Sequence, residues 1–181
     1  MKGLVFTEFA DLVERRFGLE LLDRVIETAA PGSRGAWTSV GTYDAGELLA
    51  MVAELSRLTG IAPPTLVCSF GEYLIERFAD RYAEFFAPHR DVVDFLRRVD
   101  NYVHVEVLKL YPGAQLPKFK YESEEPNKLV MTYRSERPLA DLAEGLIRGA
   151  IAHFGEPAEL TREDLDPPGR HARFTIVRKR V

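Results

Sequence analysis

The histidine at position 104 stands in an apolar context that suits metal ligation. Its helical neighbours at i+3 and i+4 are Val107 and Leu108, so one side of its helix face is apolar. A neutral imidazole that points into an apolar pocket is a natural axial ligand for haem iron. The alternative is a core histidine that hydrogen-bonds to a backbone carbonyl, and His104 taken alone leaves both open.

A second candidate for binding chemistry is the segment from Tyr133 to Arg137. Because positions i, i+2 and i+4 of an extended strand share one face, Tyr133, Ser135 and Arg137 should present two hydroxyls and a guanidinium over about 13 Å. An arginine binds a carboxylate through two parallel hydrogen bonds. Such an array suits a ligand with two carboxylates, for example the propionates of haem. The alternative is an ordinary edge strand with solvated polar side chains.

Other kinds of chemical site find no support in the motifs. The four histidines show no H-x-x-x-H spacing, and the chain contains no G-x-S-x-G, P-loop or G-x-G-x-x-G segment. The single cysteine, Cys68, excludes an internal disulfide framework and a multi-cysteine zinc site.

Composition places the chain among globular proteins. Its 181 residues suggest one domain, and 46% hydrophobic with 29% charged residues is close to the average for soluble proteins. A formal net charge of −4 argues against a nucleic-acid partner. Thr7 and Glu8 interrupt the apolar start, which argues against a signal peptide, and no apolar run is long enough for a transmembrane helix. We therefore expect a cytoplasmic location and no membrane partner.

Helical periodicity dominates the first half of the chain. Apolar residues recur at helical spacing over residues 4–17, 21–29, 48–58 and 66–78. Asp44 with Glu47 resembles a capping box at the start of the third of these helices. A further helix is predicted from Asp91 to Leu110, ending before Pro112, and it carries His104.

The apolar period then changes from helix to strand. Alternating residues over 118–122 and 129–134, with Glu125-Pro126-Asn127 between them, predict an antiparallel hairpin. A helix over 139–154 follows, and two more strands are predicted near 158–161 and 172–179. An all-helical half followed by strands and a helix indicates an α+β fold.

The sequence resembles the H-NOX family, the haem nitric oxide/oxygen-binding proteins that include the haem domain of soluble guanylate cyclase. The resemblance covers nearly the whole length, and its most specific part is Y-x-S-x-R downstream of a helical histidine. The residues that carry it are Met1-Lys2-Gly3, Phe70-Gly71-Glu72-Tyr73, His104, Lys109-Leu110-Tyr111-Pro112, Pro117, Tyr133-x-Ser135-x-Arg137 and Glu144-Gly145-Leu146.

Membership of this family implies one haem b (iron protoporphyrin IX) domain over residues 1–181. A helical distal lobe (about 1–62) and a proximal lobe with a small antiparallel sheet (about 63–181) would hold the haem between them. The resemblance also implies that His104 is the proximal ligand and that Pro117 presses on the porphyrin and bends it. By the same resemblance, the Y-x-S-x-R side chains hold the propionates.

The distal side of the haem decides which gas is bound. In oxygen-binding relatives a distal tyrosine donates a hydrogen bond to the ligand, and the matching position here is Leu142. The side chains at all the matching distal positions are apolar, and their alternative role is core packing: Val5, Phe9, Leu74, Phe78, Leu142 and Leu146. This pattern favours nitric oxide and carbon monoxide over oxygen.

The function that the resemblance implies is a stand-alone, non-enzymatic gas sensor that signals to a separate protein, either a histidine kinase or a cyclic-di-GMP enzyme. Three alternatives remain at this point. The first is an oxygen sensor or carrier, and the second is a haem enzyme such as a peroxidase. The third is a non-haem module that binds an apolar carboxylate.

Overall fold

The computed structural model describes residues 1–122 and 125–179 and shows a mixed α+β protein. The chain forms two compact units, Met1–Phe70 and Gly71–Val181, and the division falls within the helix that spans Pro63–Arg81. The first unit is helical. The second unit combines helices with one sheet.

The helices follow the predicted order along the chain, and the described residues contain none long and apolar enough to cross a membrane. Their bounds are α1 Gly3–Phe17, α2 Leu19–Ala29, α3 Ala45–Thr59, α4 Pro63–Arg81, α5 Val92–Arg97, α6 His104–Leu110 and α7 Ala140–Phe154, with a 3₁₀ turn at Ala83–Phe85 and a π-helical turn at Val99–Val103.

The start of the chain is fastened to the loop before α3 inside the first unit. The Met1 amino group donates to the Tyr43 carbonyl at 2.6 Å, and the Gly3 amide donates to the Gly41 carbonyl at 2.9 Å. A Cβ on Gly3 would stand 1.9 Å from the Thr38 carbonyl oxygen, so no larger residue fits there. This close approach gives the Met1-Lys2-Gly3 segment a structural reason.

The capping box predicted at α3 forms only in part. Asp44 caps the helix, since its carboxylate accepts from the Gly46 amide at 2.8 Å. Glu47 does not reach back to Asp44. Its carboxylate instead accepts from the Ser33 hydroxyl at 2.6 Å, which ties the preceding loop to α3.

The second unit is built on a four-stranded antiparallel sheet in the order β1-β2-β4-β3. The strands are β1 Lys118–Tyr121, β2 Lys128–Arg134, β3 Ala158–Asp164 and β4 His171–Arg178. The predicted hairpin is confirmed by the pairing of Phe119 with Tyr133. Because β2 lies between β1 and β4, the alternative of an edge strand for Tyr133 is wrong.

The core of this unit lies on one face of the sheet. Buried residues alternate along the two central strands, as the period of two requires, and α5 and α7 pack against them. The buried members on the strands are Leu129, Met131, Tyr133, Ala172, Phe174 and Ile176, and those on the helices are Val92, Val93, Phe95, Leu96, Ala140, Ala143, Ile147 and Ala150.

Helices α4 and α7 touch backbone to backbone in the second unit. A Cβ on Gly71 would lie 2.5 Å from the Leu142 carbonyl oxygen, and one on Gly149 would lie 1.9 Å from Cγ2 of Ile75. Small residues at these points let the two helices approach closely. Gly71, in the segment Phe70-Gly71-Glu72-Tyr73, and Gly149 therefore have a packing role.

The predicted helix over 91–110 is interrupted. α5 ends at Arg97, five residues follow in a π-helical turn, and α6 starts at His104. The end of the helix before Pro112 is confirmed, since α6 stops at Leu110. A π-helical turn widens the helix, so the face presented by α6 differs from the one that an unbroken helix would present.

Candidate functional site

His104 is the first residue of α6, directly after the π-helical turn. Single turns of π-helix occur frequently at functional sites. No residue of α6 is buried, and three of its apolar side chains are 43–50% exposed: Val105, Leu108 and Leu110. These three side chains of α6 therefore do not belong to the core of the protein.

The His104 imidazole is oriented by a carboxylate. Nδ1 lies 2.9 Å from Oδ1 of Asp100, and because an ionised carboxylate only accepts, Nδ1 carries the hydrogen. This arrangement replaces the carbonyl partner expected for a core histidine. It leaves Nε2 as the nitrogen that can ligate a metal.

Burial lowers the pKa of His104, and the attraction of Asp100 opposes but does not cancel that effect. The side chain of His104 is only 17% exposed. A lowered pKa favours the neutral imidazole, which is the protonation state that binds metals. His104 therefore has the burial, tautomer and charge state of a metal ligand.

The Asp100 carboxylate also reaches the sheet. Its second oxygen, Oδ2, accepts from the Phe119 backbone amide of β1 at 2.8 Å. The rings of His104 and Phe119 lie parallel within 30°, with centroids 6.0 Å apart. Phe119 in turn contacts Tyr133, with centroids 5.8 Å apart. These contacts connect His104 to β2, the strand that contains Tyr133.

The Y-x-S-x-R segment is not extended throughout, so the expectation of a single strand face is wrong. β2 ends at Arg134, and Ser135 and Arg137 lie in the bend that follows. The Ser135 hydroxyl accepts from the Arg137 amide at 3.1 Å, a local bond typical of serine turns. The bend, rather than a pleated strand, brings the three side chains together.

Tyr133 is buried at 2% exposure, and its hydroxyl meets Ser135. Burial raises the pKa of Tyr133, although hydrogen bonds from Ser135 and the Leu139 backbone and the charge of Arg137 oppose the rise. Tyr133 therefore remains a neutral hydroxyl at physiological pH. It stands beside Ser135 as a potential hydrogen-bond donor.

Arg137 is directed at the loop that contains Pro117. Its Nη2 donates to the side-chain oxygen of Gln115 and its Nη1 donates to the Gln115 carbonyl at 3.3 Å. Across residues 1–122 and 125–179, no carboxylate forms an ion pair with this guanidinium. Its positive charge therefore contacts only neutral acceptors. An anionic ligand group would supply the negative charge that these contacts lack.

Pro117 lies between these two connections. Gln115 contacts Arg137 on one side of it, and Phe119 contacts Asp100 on the other. The second unit thus brings together His104, the Pro117 loop and the Y-x-S-x-R segment, as the resemblance implies. The position of Pro117 on the porphyrin stays a prediction.

The predicted distal residues fall into two groups. Leu74 and Phe78 lie on α4, and Leu142 and Leu146 lie on α7, the two helices that touch at Gly71. Leu74 is buried, and the other three are partly exposed. All four side chains lack a hydrogen-bonding group.

The other two distal residues, Val5 and Phe9, belong to the first unit. Both lie on α1, where Phe9 packs edge to face on Phe70 at 5.2 Å between centroids. Phe9 is buried and Val5 is partly exposed. Their role at a cofactor stays a prediction.

Asp100, Gln115 and Phe119 were not among the predicted site residues. The signal for Asp100 was present in the sequence, because a carboxylate four residues before a histidine lies on the same helix face. Gln115 and Phe119 carry no such signal. Their contacts depend on how the loop before β1 returns toward α6.

The donor set of the second unit fits a haem group. It offers a neutral imidazole oriented by a carboxylate, exposed apolar side chains on the same helix, and a guanidinium with hydroxyls for carboxylates. The Haem-NO-binding family matches residues 2–162. The chain belongs to the haem-NO-binding (H-NOX) family.

Solved structures of H-NOX proteins match over nearly the full chain. The Fe(II) unliganded protein from K. algicida is 36% identical, with a TM-score of 0.95 over 100% of this chain and 98% of that one. The IWP-051-bound protein from Shewanella woodyi in the Fe(II)CO state is 38% identical, with a TM-score of 0.84 over 99% and 95%. The S. oneidensis protein in the Fe(II)NO state is 25% identical, with a TM-score of 0.90 over 99% and 100%. Comparison with curated proteins gave no match.

The α+β fold is therefore that of H-NOX proteins, as the sequence predicted. H-NOX domains bind haem and are a gas-binding sensor fold. They act as sensor domains and are not themselves enzymes.

Proposed function

We propose that this H-NOX domain binds haem b and senses nitric oxide and carbon monoxide, with low affinity for oxygen. The observation that carries the proposal is the joint placement of His104, the Pro117 loop and Arg137 in the second unit. An imidazole linked through Asp100 to β1, and a guanidinium linked to the loop just before β1, suit a ligand that has both a metal and carboxylates.

Each residue of this group has a distinct part in binding. His104 would hold the iron through Nε2, and Pro117 would contact the macrocycle. Tyr133, Ser135 and Arg137 would bind the propionates, with Arg137 supplying charge and the hydroxyls supplying donors. When bound, haem supplies a ferrous iron with one open position for a diatomic gas.

The preference among gases rests on the side chains of α4 and α7. In an apolar pocket, a ligand that takes on partial negative charge needs a hydrogen-bond donor. Without a donor, burying that charge is energetically costly. Leu74, Leu142 and Leu146 supply no donor. Oxygen needs one, whereas nitric oxide binds ferrous iron tightly without it, so these helices disfavour oxygen.

We further propose that the signal passes to a separate effector, a histidine kinase or a cyclic-di-GMP enzyme. The support for this choice is the family resemblance. Physically, the effector must bind the gas-bound and gas-free forms with different affinity, because a partner with equal affinity for both shifts neither. Binding measurements with each candidate effector, with and without nitric oxide, test the choice.

The experiment that tests the proposal is absorption spectroscopy of the reduced, haem-loaded protein. We expect a Soret band that shifts with carbon monoxide and with nitric oxide and stays unchanged when air-equilibrated buffer is added briefly. A stable spectral change with oxygen would favour the oxygen-carrier alternative. A purified protein that takes up no haem would favour the non-haem alternative.

A further inference from the structure

The two carboxylate oxygens of Asp100 accept hydrogen bonds from two different elements. Oδ1 accepts from His104 Nδ1 at 2.9 Å, and Oδ2 accepts from the Phe119 amide of β1 at 2.8 Å. The side chains of Asp100 and His104 are 24% and 17% exposed. A carboxylate with two donors in a mostly buried position is held in one geometry.

We propose that Asp100 is a positioning residue that sets the direction and donor strength of the His104 imidazole, and the inference rests on the proposed ligation by His104. A carboxylate that accepts from Nδ1 pulls that hydrogen toward itself and increases the electron density at Nε2. It does so more strongly than a neutral carbonyl, because hydrogen bonds to ionised groups are the stronger kind.

The charge of Asp100 has few other partners. Within the described part of the chain, no lysine or arginine forms an ion pair with it, and His104 is its only ionisable partner. The field of Asp100 is nevertheless felt nearby: burial first, and then this negative charge, raises the pKa of the Tyr121 hydroxyl to about 12. The carboxylate therefore depends on His104 and the β1 amide for its stabilisation.

The hydrogen bond between the Phe119 amide and Asp100 fixes the carboxylate, and through it the imidazole, relative to the sheet. Because the Phe119 amide holds Oδ2, the carboxylate cannot follow His104 freely if the ring moves. The Phe119 ring lies beside the imidazole at 6.0 Å, which limits its rotation further. A change in the position of His104 is thus resisted at β1.

The test uses the haem-loaded protein with Asp100→Asn and Asp100→Ala. Asn keeps the volume but not the charge, and Ala removes both bonds. The matched control is Glu106→Gln, which also removes one negative charge, here from α6, but affects a carboxylate bound to Lys109 at 2.6 Å. The measurements are the iron–histidine stretching frequency by resonance Raman, the reduction potential, and the rate of haem loss.

We expect both Asp100 variants to lower the stretching frequency and raise the reduction potential, because Nε2 becomes a weaker donor. Haem affinity should fall about 10- to 100-fold, as when other outer-sphere partners of ligating histidines are lost. In the haem-free protein, hydrogen exchange at the Phe119 amide should be faster in Asp100→Ala. Glu106→Gln should match the unmodified protein in every measurement.

An unchanged stretching frequency and potential in a folded Asp100→Asn protein would overturn the inference while leaving ligation by His104 intact. Failure of the proposed function looks different. The unmodified protein would then take up no haem, or would show an iron–histidine band that persists in His104→Gly. That result would overturn both proposals.

Discussion

The side chains that surround His104 act on each other through single hydrogen bonds. Asp100 selects the tautomer of His104 by accepting from Nδ1 at 2.9 Å. Arg137 is held 3.3 Å from the Gln115 carbonyl, an acceptor that an anion can replace. Each bond is open to a substitution that removes one partner.

At this scale the first prediction concerns His104. His104→Gly should abolish stable haem binding, and added imidazole should restore it by filling the space that the side chain leaves. Absorption spectra during haem titration, with and without imidazole, provide the measurement. Alanine replacements of His153 and His171 are the controls and should bind haem normally. Loss of haem in a control, together with normal binding in His104→Gly, would contradict the assignment.

The second prediction concerns Arg137. Arg137→Ala removes the guanidinium that contacts Gln115 and should speed haem transfer to an apo-globin trap. The expected loss is about 2 kcal/mol, the lower end for truncated charged pairs because Arg137 is partly exposed. This corresponds to about a 30-fold faster rate. Arg134→Ala is the matched control, since Arg134 points to His171 at 3.3 Å. Equal rates in the two variants would show that Arg137 binds no propionate.

The third prediction concerns the donor that α7 lacks. Leu142→Tyr places a phenol hydroxyl on the helix that touches α4 at Gly71, and a hydroxyl is the donor that oxygen needs. Oxygen affinity should therefore increase. Oxygen titration of the reduced protein measures the effect, and Leu142→Phe controls for the added ring without a donor. Equal oxygen affinity in both variants would mean that position 142 does not face the gas.

At the scale of elements, two local features position the site. The π-helical turn at Val99–Val103 sets the direction from which α6 presents His104. The glycine contacts set the distance between α4 and α7. Each is a small local feature of the backbone that determines the positions of several side chains.

The fourth prediction tests the α4–α7 contact. In Gly149→Ala the new Cβ would collide with Cγ2 of Ile75. Such overpacking costs about 1–3 kcal/mol, partly offset by the roughly 1 kcal/mol by which alanine favours a helix. We expect a net loss of stability in urea denaturation. Ile75→Ala removes the colliding atom, so the double variant should lose less stability than the two single losses together. Simple additivity would contradict a direct contact.

At the scale of the whole molecule, carboxylates in both units depend on hydrogen bonds. In the first unit, the Arg57 side chain bonds to Glu54 and lowers the pKa of that carboxyl. In the second, the Thr132 hydroxyl donates to Glu122 at 2.5 Å and lowers its pKa as well. The folded protein therefore binds fewer protons than the unfolded chain in the acid range.

The fifth prediction follows from the sign of these shifts. Groups with a lowered pKa stabilise the fold above their ordinary values, and that stability is lost as the pH falls through the folded pKa. The midpoint temperature of unfolding of the haem-free protein should thus decrease as the pH is lowered from roughly 5 to 3. Glu122→Gln should flatten this decrease, whereas Glu76→Gln, an exposed carboxylate on α4, should not. An equally steep decrease in both variants would contradict the role of Glu122.

Local patterns in the sequence were sufficient for most of the elements. Apolar periods of 3.6 and 2 predicted the helices and the hairpin, because each element must bury one face. Glycines follow the ends of α1 and α3, where Gly18 and Gly60 take positive φ. The family was predicted from a resemblance over nearly the whole chain, of which His104 followed by Y-x-S-x-R is the most specific part, and it is confirmed. Their roles at the haem stay predictions.

Only the tertiary structure decided how these residues meet. The π-helical turn inside the predicted helix leaves no mark in the apolar period, because widening by one residue changes direction and not composition. The bond from the Ser135 amide to the Arg170 carbonyl and the contact of Asp100 with β1 join chain segments far apart in sequence. Such contacts depend on the packing of the sheet against the helices. A local sequence pattern does not specify which distant residue a side chain will contact.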